Sequence, residues 1–193
     1  MEELKKRALE NHIPIVRDKT ALSLIEECKK KNPKKILEIG TAIGYSTLLM
    51  LKNSNAFVVT CEKDDERVKQ ARENIKAYGF EERVQIEHND ALCVLENLAK
   101  GGDKFDFIFL DGAKGQYIRY YPFLKQLLEI DGIMFTDNID LNGLIASPER
   151  VTHKNRTMFR NMNLFLEKIE NDNDFETEIF HIDDGFLISR KLH

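Results

Sequence analysis

Acidic and amide side chains follow two apolar runs of the sequence, at points where they could hold a metal ion. Asp111 comes directly after the run at 105–110, and Asp137 and Asn138 come directly after the run at 132–136. Two carboxylates and one amide oxygen are a hard ligand set, typical of Mg²⁺, Mn²⁺ or Ca²⁺ with water or substrate completing the shell, and not of zinc. Each residue alone also fits a helix cap or turn, and Lys114 alone fits a solvated lysine. The combination favours a divalent-metal site with a basic group beside it.

A second candidate site is the glycine turn at 40–46 (GTAIGYS), which joins an apolar run to a helical pattern. A strand, a glycine turn and a helix N-terminus leave backbone N–H groups unpaired around a small pocket, and Gly40 would let a ligand approach the backbone. Glu38 lies inside the apolar run, and Glu62 ends the next one, about where a ribose-binding carboxylate follows a first β-α-β step. The spacing is not the G-x-G-x-x-G of dinucleotide-binding enzymes. The glycines alone fit an ordinary turn equally well, so Glu62 is what favours a nucleoside-type ligand.

Apolar runs and helical patterns alternate along the chain, and the elements they form must position both sets of residues. Strands are predicted at 36–39, 57–61, 84–88, 105–110 and 132–136, and helices at 18–31, 46–52, 65–77, 91–98, 117–128 and 157–170. Asp18 is the predicted cap of the first of these helices. The alternation indicates an α/β fold with a mostly parallel sheet and helices on both faces.

Two further extended runs, 175–182 and 185–191, are joined by Asp183, Asp184 and Gly185. This pattern predicts a C-terminal hairpin that inserts one antiparallel strand at the edge of the sheet. Ligands of open α/β sheets bind beyond the carboxyl ends of the strands, so we expect the polar residues after successive strands to converge there. The long irregular stretch at 139–155 is expected to be functional or mobile.

Length and composition fit one domain over residues 1–193. The net charge of −4 argues against nucleic-acid binding over the whole surface but not against a local basic patch. Cys28, Cys61 and Cys93 have no C-x-x-C spacing and lie in apolar patterns, so we expect reduced core cysteines in a cytoplasmic protein. No apolar run is long enough to span a bilayer, and the charged N-terminus lacks a signal-peptide core, so no membrane partner is expected.

Five motifs in a fixed order identify a family. They are LEIGTAIGYS at 37–46, TCEKD at 60–64, NDAL at 89–92, FIFLDGAKGQY at 107–117 and FTDNI at 135–139. With them the chain resembles class I S-adenosylmethionine-dependent methyltransferases, specifically the cation-dependent O-methyltransferases of the caffeoyl-CoA and catechol type. The resemblance extends from residue 12 to the final hairpin. It implies a Rossmann-like fold whose mostly parallel, seven-stranded sheet ends in an antiparallel hairpin, and a homodimer.

The resemblance also implies a role for each matching residue. Lys114 and Asp111 would be catalytic, with Lys114 beside the reacting oxygen. Glu62 would bind the ribose hydroxyls of the cofactor, and Asp90 with Ala91 would contact the adenine edge. The metal, Mg²⁺ or another divalent cation, would be ligated by Asp111, Asp137 and Asn138. The residues implied to bind S-adenosylmethionine are Val16, Glu38, Gly40, Ser46, Glu62, Asp90, Ala91 and Asp111.

The chemistry of the implied reaction limits the acceptor. The sulfonium methyl group is already activated, so the enzyme must supply an oxygen nucleophile and hold it in line. A metal chelated by two adjacent acceptor oxygens lowers the hydroxyl pKa and fixes its geometry. A catechol has two such oxygens, and 5-hydroxyuridine has them in its 5-hydroxyl and 4-carbonyl groups.

Two features favour tRNA as the acceptor. The chain looks most like the bacterial tRNA methyltransferases that act on 5-hydroxyuridine at the wobble position in three segments, TAIGYS, AKGQY and the loop at 142–146. A basic cluster also follows the metal motif, opposed only by Glu149, and could contact phosphates of the anticodon loop. It consists of Arg150, His153, Lys154, Arg156 and Arg160. A basic helix end that is simply solvated explains the cluster nearly as well. The alternative acceptor is a catechol or another small phenolic.

Two other function classes fit less well. A nicotinamide dehydrogenase lacks support because G-x-G-x-x-G is missing and the chain ends in a hairpin. A non-catalytic binding module would have no use for the intact set of Asp111, Asp137 and Asn138. The chain begins only a few residues before Ile13, so we expect a leading helix common in relatives to be short or missing.

Overall fold

Seven strands form one sheet in the computed structural model, which describes residues 1–193. The strands are β1 (Lys35–Ile39), β2 (Phe57–Glu62), β3 (Val84–His88), β4 (Phe105–Leu110), β5 (Leu128–Asp137), β6 (Phe175–Phe180) and β7 (Phe186–Lys191). Their order in the sheet is β3-β2-β1-β4-β5-β7-β6. Strands β1 to β5 pair in parallel, and β7 is antiparallel to both of its neighbours. The predicted α/β fold with a C-terminal antiparallel hairpin is confirmed.

The hairpin differs from the prediction in one respect, because its antiparallel strand β7 lies between β5 and β6 and not at the edge. Phe186 and Leu187 point to opposite faces of the sheet and both are buried, so β7 suits an interior position. Strand β6 carries the exposed side chains of Glu176 and Glu178 and forms the edge. Charged residues on an edge strand disfavour pairing with another chain.

Helices cover both faces of the sheet. They are α1 (Glu2–Glu10), α2 (Asp18–Lys31), α3 (Tyr45–Lys52), α4 (Asp65–Ala77), α5 (Ala91–Gly101), α6 (Tyr117–Leu127) and α7 (Arg156–Glu170). The apolar residues of α5, α6 and α7 form one core cluster with the sheet, and those of α1 to α4 form a second. Helix α1 has 9 residues and buries Leu4 and Ala8. None of the helices has the length and apolar character needed to cross a membrane.

The N-terminus of α2 is capped by a residue far away in sequence. Its first turn has no cap from Asp18, which instead forms an ion pair with Lys5. Asp183 in the hairpin turn accepts hydrogen bonds from the backbone N–H groups of Lys19 and Thr20, at 3.0 Å each. The predicted cap is therefore wrong, and the hairpin turn supplies the carboxylate that the helix N-terminus favours.

Two of the three cysteines fit the predicted core positions. Cys28 and Cys61 are buried, whereas Cys93 is exposed on α5 and corrects the prediction for that residue. Cys93 lies in an apolar stretch of the sequence and is therefore expected in the core. Helix α5 buries the next two residues, Val94 and Leu95, and leaves Cys93 facing solvent. All three thiols are free, as expected.

Asp172 joins α6 to the segment before β6, and we expect it to make stability depend on pH. Burial alone would raise its pKa, but hydrogen bonds from Lys125 and Tyr121 lower the pKa to about 2 from the ordinary 3.8. The ionised carboxylate of Asp172 therefore stabilises the folded protein fully above pH 4, and this stabilisation is lost as the pH falls through about 2.

We expect Asp172→Asn to lower the free energy of unfolding by about 2 kcal/mol at pH 7 and by much less near pH 2. Urea unfolding at the two pH values checks this prediction. Asp131→Asn is the control because Asp131 forms an exposed ion pair with Arg190, which contributes little to stability. Equal losses for Asp172→Asn at both pH values would contradict the prediction.

Candidate active site

A cavity of about 820 Å³ opens beyond the carboxyl ends of the parallel strands. It is lined from one side by the segment before α2 and from the other by the turns that follow β1, β2, β3 and β4. All of the predicted site residues line it except Glu38 and Asp137. Those that do are Val16, Gly40, Ser46, Glu62, Asp90, Ala91, Asp111, Lys114 and Asn138.

Gly40 has a structural role that the sequence did not reveal. Its φ is +103°, a conformation that L side chains rarely adopt. A Cβ here would clash with the carbonyl oxygen of Asp111 and would lie 3.0 Å from its carbonyl carbon. The glycine therefore lets the ends of β1 and β4 pack against each other, and Gly40 also lines the cavity, where the predicted approach of a ligand stays a prediction.

Glu38 lies behind the glycine turn, outside the cavity, so it does not line the cavity as the sequence prediction implied. The residue is fully buried, and hydroxyl groups of Ser46, Thr47 and Thr60 donate to its carboxylate over 2.5–2.7 Å. Burial raises the pKa of Glu38 to about 7, and the hydroxyl donors oppose this shift. Because Ser46 and Thr47 begin α3, Glu38 anchors the helix N-terminus that faces the cavity.

Glu62 is held in the cavity wall by backbone groups of two turns. One carboxylate oxygen accepts from Ala42 N at 3.1 Å, and the other accepts from Lys63 N at 2.9 Å and Asp64 N at 3.1 Å. Each oxygen has two lone pairs, so the oxygen that accepts from Ala42 N keeps one of them for a ligand. The carboxylate is thus fixed in orientation before any ligand binds.

The third strand end combines a helix cap with a cavity-lining position. Asp90 accepts from Leu92 N at 3.0 Å and caps α5, and both Asp90 and Ala91 line the cavity. His88, the last residue of β3, contacts the exposed Asp65 at 2.9 Å. The capping interpretation and the binding interpretation of Asp90 are therefore compatible.

The predicted metal ligands meet at two neighbouring strand ends. Leu110 and Thr136 are partners in the β4–β5 ladder, so Asp111 and Asp137 follow at the same level of the sheet. Asp137 is buried and accepts from Asn138 N at 2.7 Å, and the buried hydroxyl of Tyr117 lies within 3.3–3.4 Å of the carbonyl oxygens of Asp137 and Leu110. This buried hydroxyl holds the two strand ends together.

The electrostatics of the Asp111 and Asp137 carboxylates favour a bound cation. Burial, and then the charge of Asp111, raises the pKa of Asp137, and burial also raises the pKa of Asp111. Lys114 is the one cation in contact, at 2.8 Å from an Asp111 oxygen. Two buried carboxylates with one lysine leave excess negative charge, which a divalent ion would neutralise.

The comparison with known families decides the identity of the chain. A sequence profile of the family described as O-methyltransferase matches residues 1–192. The chain belongs to the O-methyltransferase family.

Individual relatives of this O-methyltransferase agree with the assignment. A catechol O-methyltransferase of Niastella koreensis is 33% identical over 125 residues, which is 63% of this chain and 55% of that protein. A crystal structure of a Staphylococcus aureus protein, whose name assigns it to the caffeoyl-CoA O-methyltransferases, matches with a TM-score of 0.91 and 32% identity over 98% of this chain and 91% of that one. The S-adenosylhomocysteine-bound methyltransferase PaMTH1 of Podospora anserina matches with a TM-score of 0.80 and 26% identity over 93% and 80%.

The O-methyltransferase has no group of three Asp, Glu, His or Cys side chains that converge on one point. A metal site here therefore depends on the Asn138 amide as its third protein ligand. Asn138 has a left-handed φ of 59°, its side chain makes no hydrogen bond within the protein, and it lines the cavity. The donor set of Asp111, Asp137 and Asn138 is all oxygen and incomplete, which fits a divalent ion that keeps positions open for an acceptor.

A second cavity of about 370 Å³ adjoins the first in this O-methyltransferase. The two share Lys114, Asn138, Asn142 and Asp184 as wall residues. The outer wall of the second cavity contains Leu141, Leu144 and Met158 with Arg150 and Asn155. Of the predicted basic cluster, Arg150 thus reaches the site, and the other four residues are exposed outside it.

Sequence reasoning missed several polar residues of this site. Arg17 lines the large cavity and donates to the Asn142 side chain at 2.8 Å, which connects the segment before α2 to the loop after β5. Asp184 is buried and lines both cavities. The available signal was the pair of aspartates before Gly185, which predicted only a hairpin turn.

Proposed function

We propose that this O-methyltransferase transfers the methyl group of S-adenosylmethionine to a hydroxyl of a metal-bound acceptor, and that the acceptor is 5-hydroxyuridine at the tRNA wobble position. One observation carries the proposal. The large cavity with the glycine turn and Glu62 extends to Asp111 and Asn138, and the buried Asp137 follows β5 at the same level of the sheet as Asp111. Lys114 stands at the junction and lines both cavities. A donor site and an acceptor site are therefore adjacent.

The chain's own residues suit the methyl donor. Glu62 presents a fixed carboxylate to the ribose hydroxyls, and Asp90 and Ala91 lie where the adenine would bind. The N-terminus of α3, anchored through Ser46 by Glu38, would offer backbone N–H groups to the carboxylate of the methionine part. The S-adenosylhomocysteine bound by PaMTH1 supports this use of the cavity.

Asp111, Asp137 and Asn138 would hold the divalent ion, which when bound lowers the pKa of an acceptor hydroxyl and fixes its orientation. Lys114 keeps its ammonium group against Asp111, where it stabilises negative charge on the acceptor oxygen. Asp111 orients that ammonium and holds the strand end next to Gly40. The residues thus align an anionic oxygen with the methyl group, which is what in-line transfer requires.

The RNA part of the proposal rests on charge at the mouth of the acceptor cavity. Arg150 lines this cavity, and Lys154, Arg156 and Arg160 are exposed at the start of α7, on a chain whose net charge is −4. Exposed basic residues that follow a cavity-lining arginine in the sequence of an acidic protein suit the phosphates that flank a target nucleotide. The homodimer implied by the resemblance and the cytoplasmic location expected from the cysteines stay predictions.

A catechol or another small phenolic is the second candidate acceptor. The 33% identity to the Niastella koreensis catechol O-methyltransferase supports it. Leu141, Leu144 and Met158 also give the second cavity an apolar wall that would contact an aromatic ring.

Mass spectrometry of tRNA nucleosides from a strain that lacks the gene separates the two acceptors. We expect 5-methoxyuridine at wobble positions to disappear and its 5-hydroxyuridine precursor to accumulate. The wild-type gene should restore the modification, and a gene encoding Asp137→Ala should not. An unchanged nucleoside profile, together with turnover of a catechol by the purified protein, would decide for the small phenolic.

A further inference from the structure

Asp184 is a buried acid in the hairpin turn that no part of the proposed mechanism uses. The residue is 4% exposed and lines both cavities. One of its oxygens accepts a short hydrogen bond from Asn142 N. Its backbone carbonyl accepts from Asp140 N at 2.9 Å, and the carbonyl of Gly185 accepts from Ile139 N at 3.0 Å. The turn thus fastens the loop that begins at the metal ligand Asn138.

The second carboxylate oxygen of Asp184 has no partner in the protein. No backbone or side-chain group donates to it, and no lysine, arginine or histidine forms an ion pair with the residue. This oxygen is also not sealed off, because Thr136 Oγ1 is the one fully buried side-chain polar atom without a hydrogen bond. Among the cations of the same cavity walls, Lys114 is already paired with Asp111, and Arg17 donates to the Asn142 side chain. A largely buried carboxylate oxygen therefore faces the cavity with its acceptor capacity unused.

Burying a charged oxygen without a partner costs free energy, so such a group is expected to gain its partner from a ligand. Asp184 shares the walls of both cavities with Asn138, and the turn that contains it holds the backbone of the two residues after Asn138, which places it near the metal set. It does not join Asp111 and Asp137 in a convergent group that could hold the ion. The partner it lacks is thus a hydrogen-bond donor close to the metal position.

We propose that Asp184 contacts the acceptor and selects for a uracil ring by accepting a hydrogen bond from its N3–H group. This inference rests on the proposed function. In 5-hydroxyuridine the two chelating oxygens are on C5 and C4, and N3–H is the next ring position. In a catechol the corresponding ring position is a C–H group, which would leave the carboxylate unpaired. A site that hydrogen-bonds a substrate donor rejects analogues that lack the donor.

The substitution Asp184→Asn tests the role of the free oxygen selectively. The amide oxygen can keep the hydrogen bond from Asn142 N, and the amide nitrogen then presents a donor to the cavity where the carboxylate presented an acceptor. Asp183→Asn is the matched control, since Asp183 is the neighbouring residue of the same turn, is exposed and caps α2. Asparagine is also an effective cap, so this control should fold normally.

Two anticodon stem-loop RNAs serve as probes, one with 5-hydroxyuridine at the wobble position and one with 3-methyl-5-hydroxyuridine. The readouts are kcat/KM with Mg²⁺ and the Kd of each RNA in the presence of S-adenosylhomocysteine. We expect the wild type and Asp183→Asn to prefer the unmethylated RNA roughly tenfold or more. Asp184→Asn should lose that preference, with the Kd of S-adenosylhomocysteine unchanged.

The outcomes distinguish this inference from the proposed function. If the wild type does not methylate the 5-hydroxyuridine RNA at all, both the proposed function and the role of Asp184 are contradicted. If the wild type methylates both RNAs within twofold of each other, only the role of Asp184 is overturned, and this comparison needs no variant. A preference that Asp184→Asn retains in full would overturn it as well.

Discussion

Asp137→Ala is expected to reduce kcat/KM for methyl transfer roughly 10³-fold, because several kcal/mol of metal-dependent stabilisation of the transition state are lost. Cofactor binding should persist, since Asp137 does not line the donor side of the cavity. Enzyme assays at saturating Mg²⁺, with the Kd of S-adenosylhomocysteine measured in parallel, check both parts.

The fold should survive this substitution. Burial raises the pKa of Asp137 to about 7, so the buried carboxylate is a cost to the metal-free protein and its removal is not expected to unfold the chain. Asp131→Ala is the control, because Asp131 lies near the other end of the same strand and is exposed. Activity of Asp137→Ala within tenfold of the wild type would show that the residue is not a metal ligand.

Gly40→Ala is expected to cost roughly 3–5 kcal/mol of stability, the sum of backbone strain and of overpacking against a rigid neighbour. The strain arises at φ +103°, and the overpacking arises because the added Cβ meets the backbone of Asp111 and not a flexible side chain. Chemical denaturation at neutral pH measures the loss.

Gly79→Ala separates the two contributions. Gly79 also has a positive φ, +74°, but a Cβ there would meet nothing within 4 Å. We expect it to lose only about 1–2 kcal/mol, the usual cost of a left-handed L residue. Equal losses for the two variants would show that the contact between Gly40 and Asp111 is not tight. The folded fraction of Gly40→Ala should also bind metal more weakly, since the clash displaces Asp111.

The parts of the fold and site that depend on local pattern could be predicted from the sequence. Apolar runs alternating with helical periodicity give the parallel sheet, and the rule that ligands bind beyond strand ends places Glu62, Asp90, Asp111 and Asn138 around one cavity. Family membership followed from the order of the motifs and not from any single glycine turn.

The parts that depend on partners distant in sequence could not be predicted. The cap of α2 comes from Asp183, more than 160 positions away, so Asp18 was the obvious local choice. Gly40 faces the backbone of Asp111, which directly follows the neighbouring strand β4, and Glu38 turns towards hydroxyl groups on α3 and β2. Asp184 looked like a turn residue because the loop that it fastens lies some 40 residues earlier. Periodicity gives the face of an element but not the atom opposite it.

The most direct test of metal-dependent methyl transfer is an assay with the purified protein, S-adenosylmethionine and the 5-hydroxyuridine stem-loop RNA, with a catechol assayed in parallel. The product is measured by mass spectrometry with Mg²⁺, after addition of EDTA, and after excess Mg²⁺ is restored. We expect transfer with Mg²⁺, none in EDTA, and recovery on restoring the ion. Transfer that continues undiminished in EDTA, or no transfer to either acceptor with Mg²⁺ present, would contradict the account.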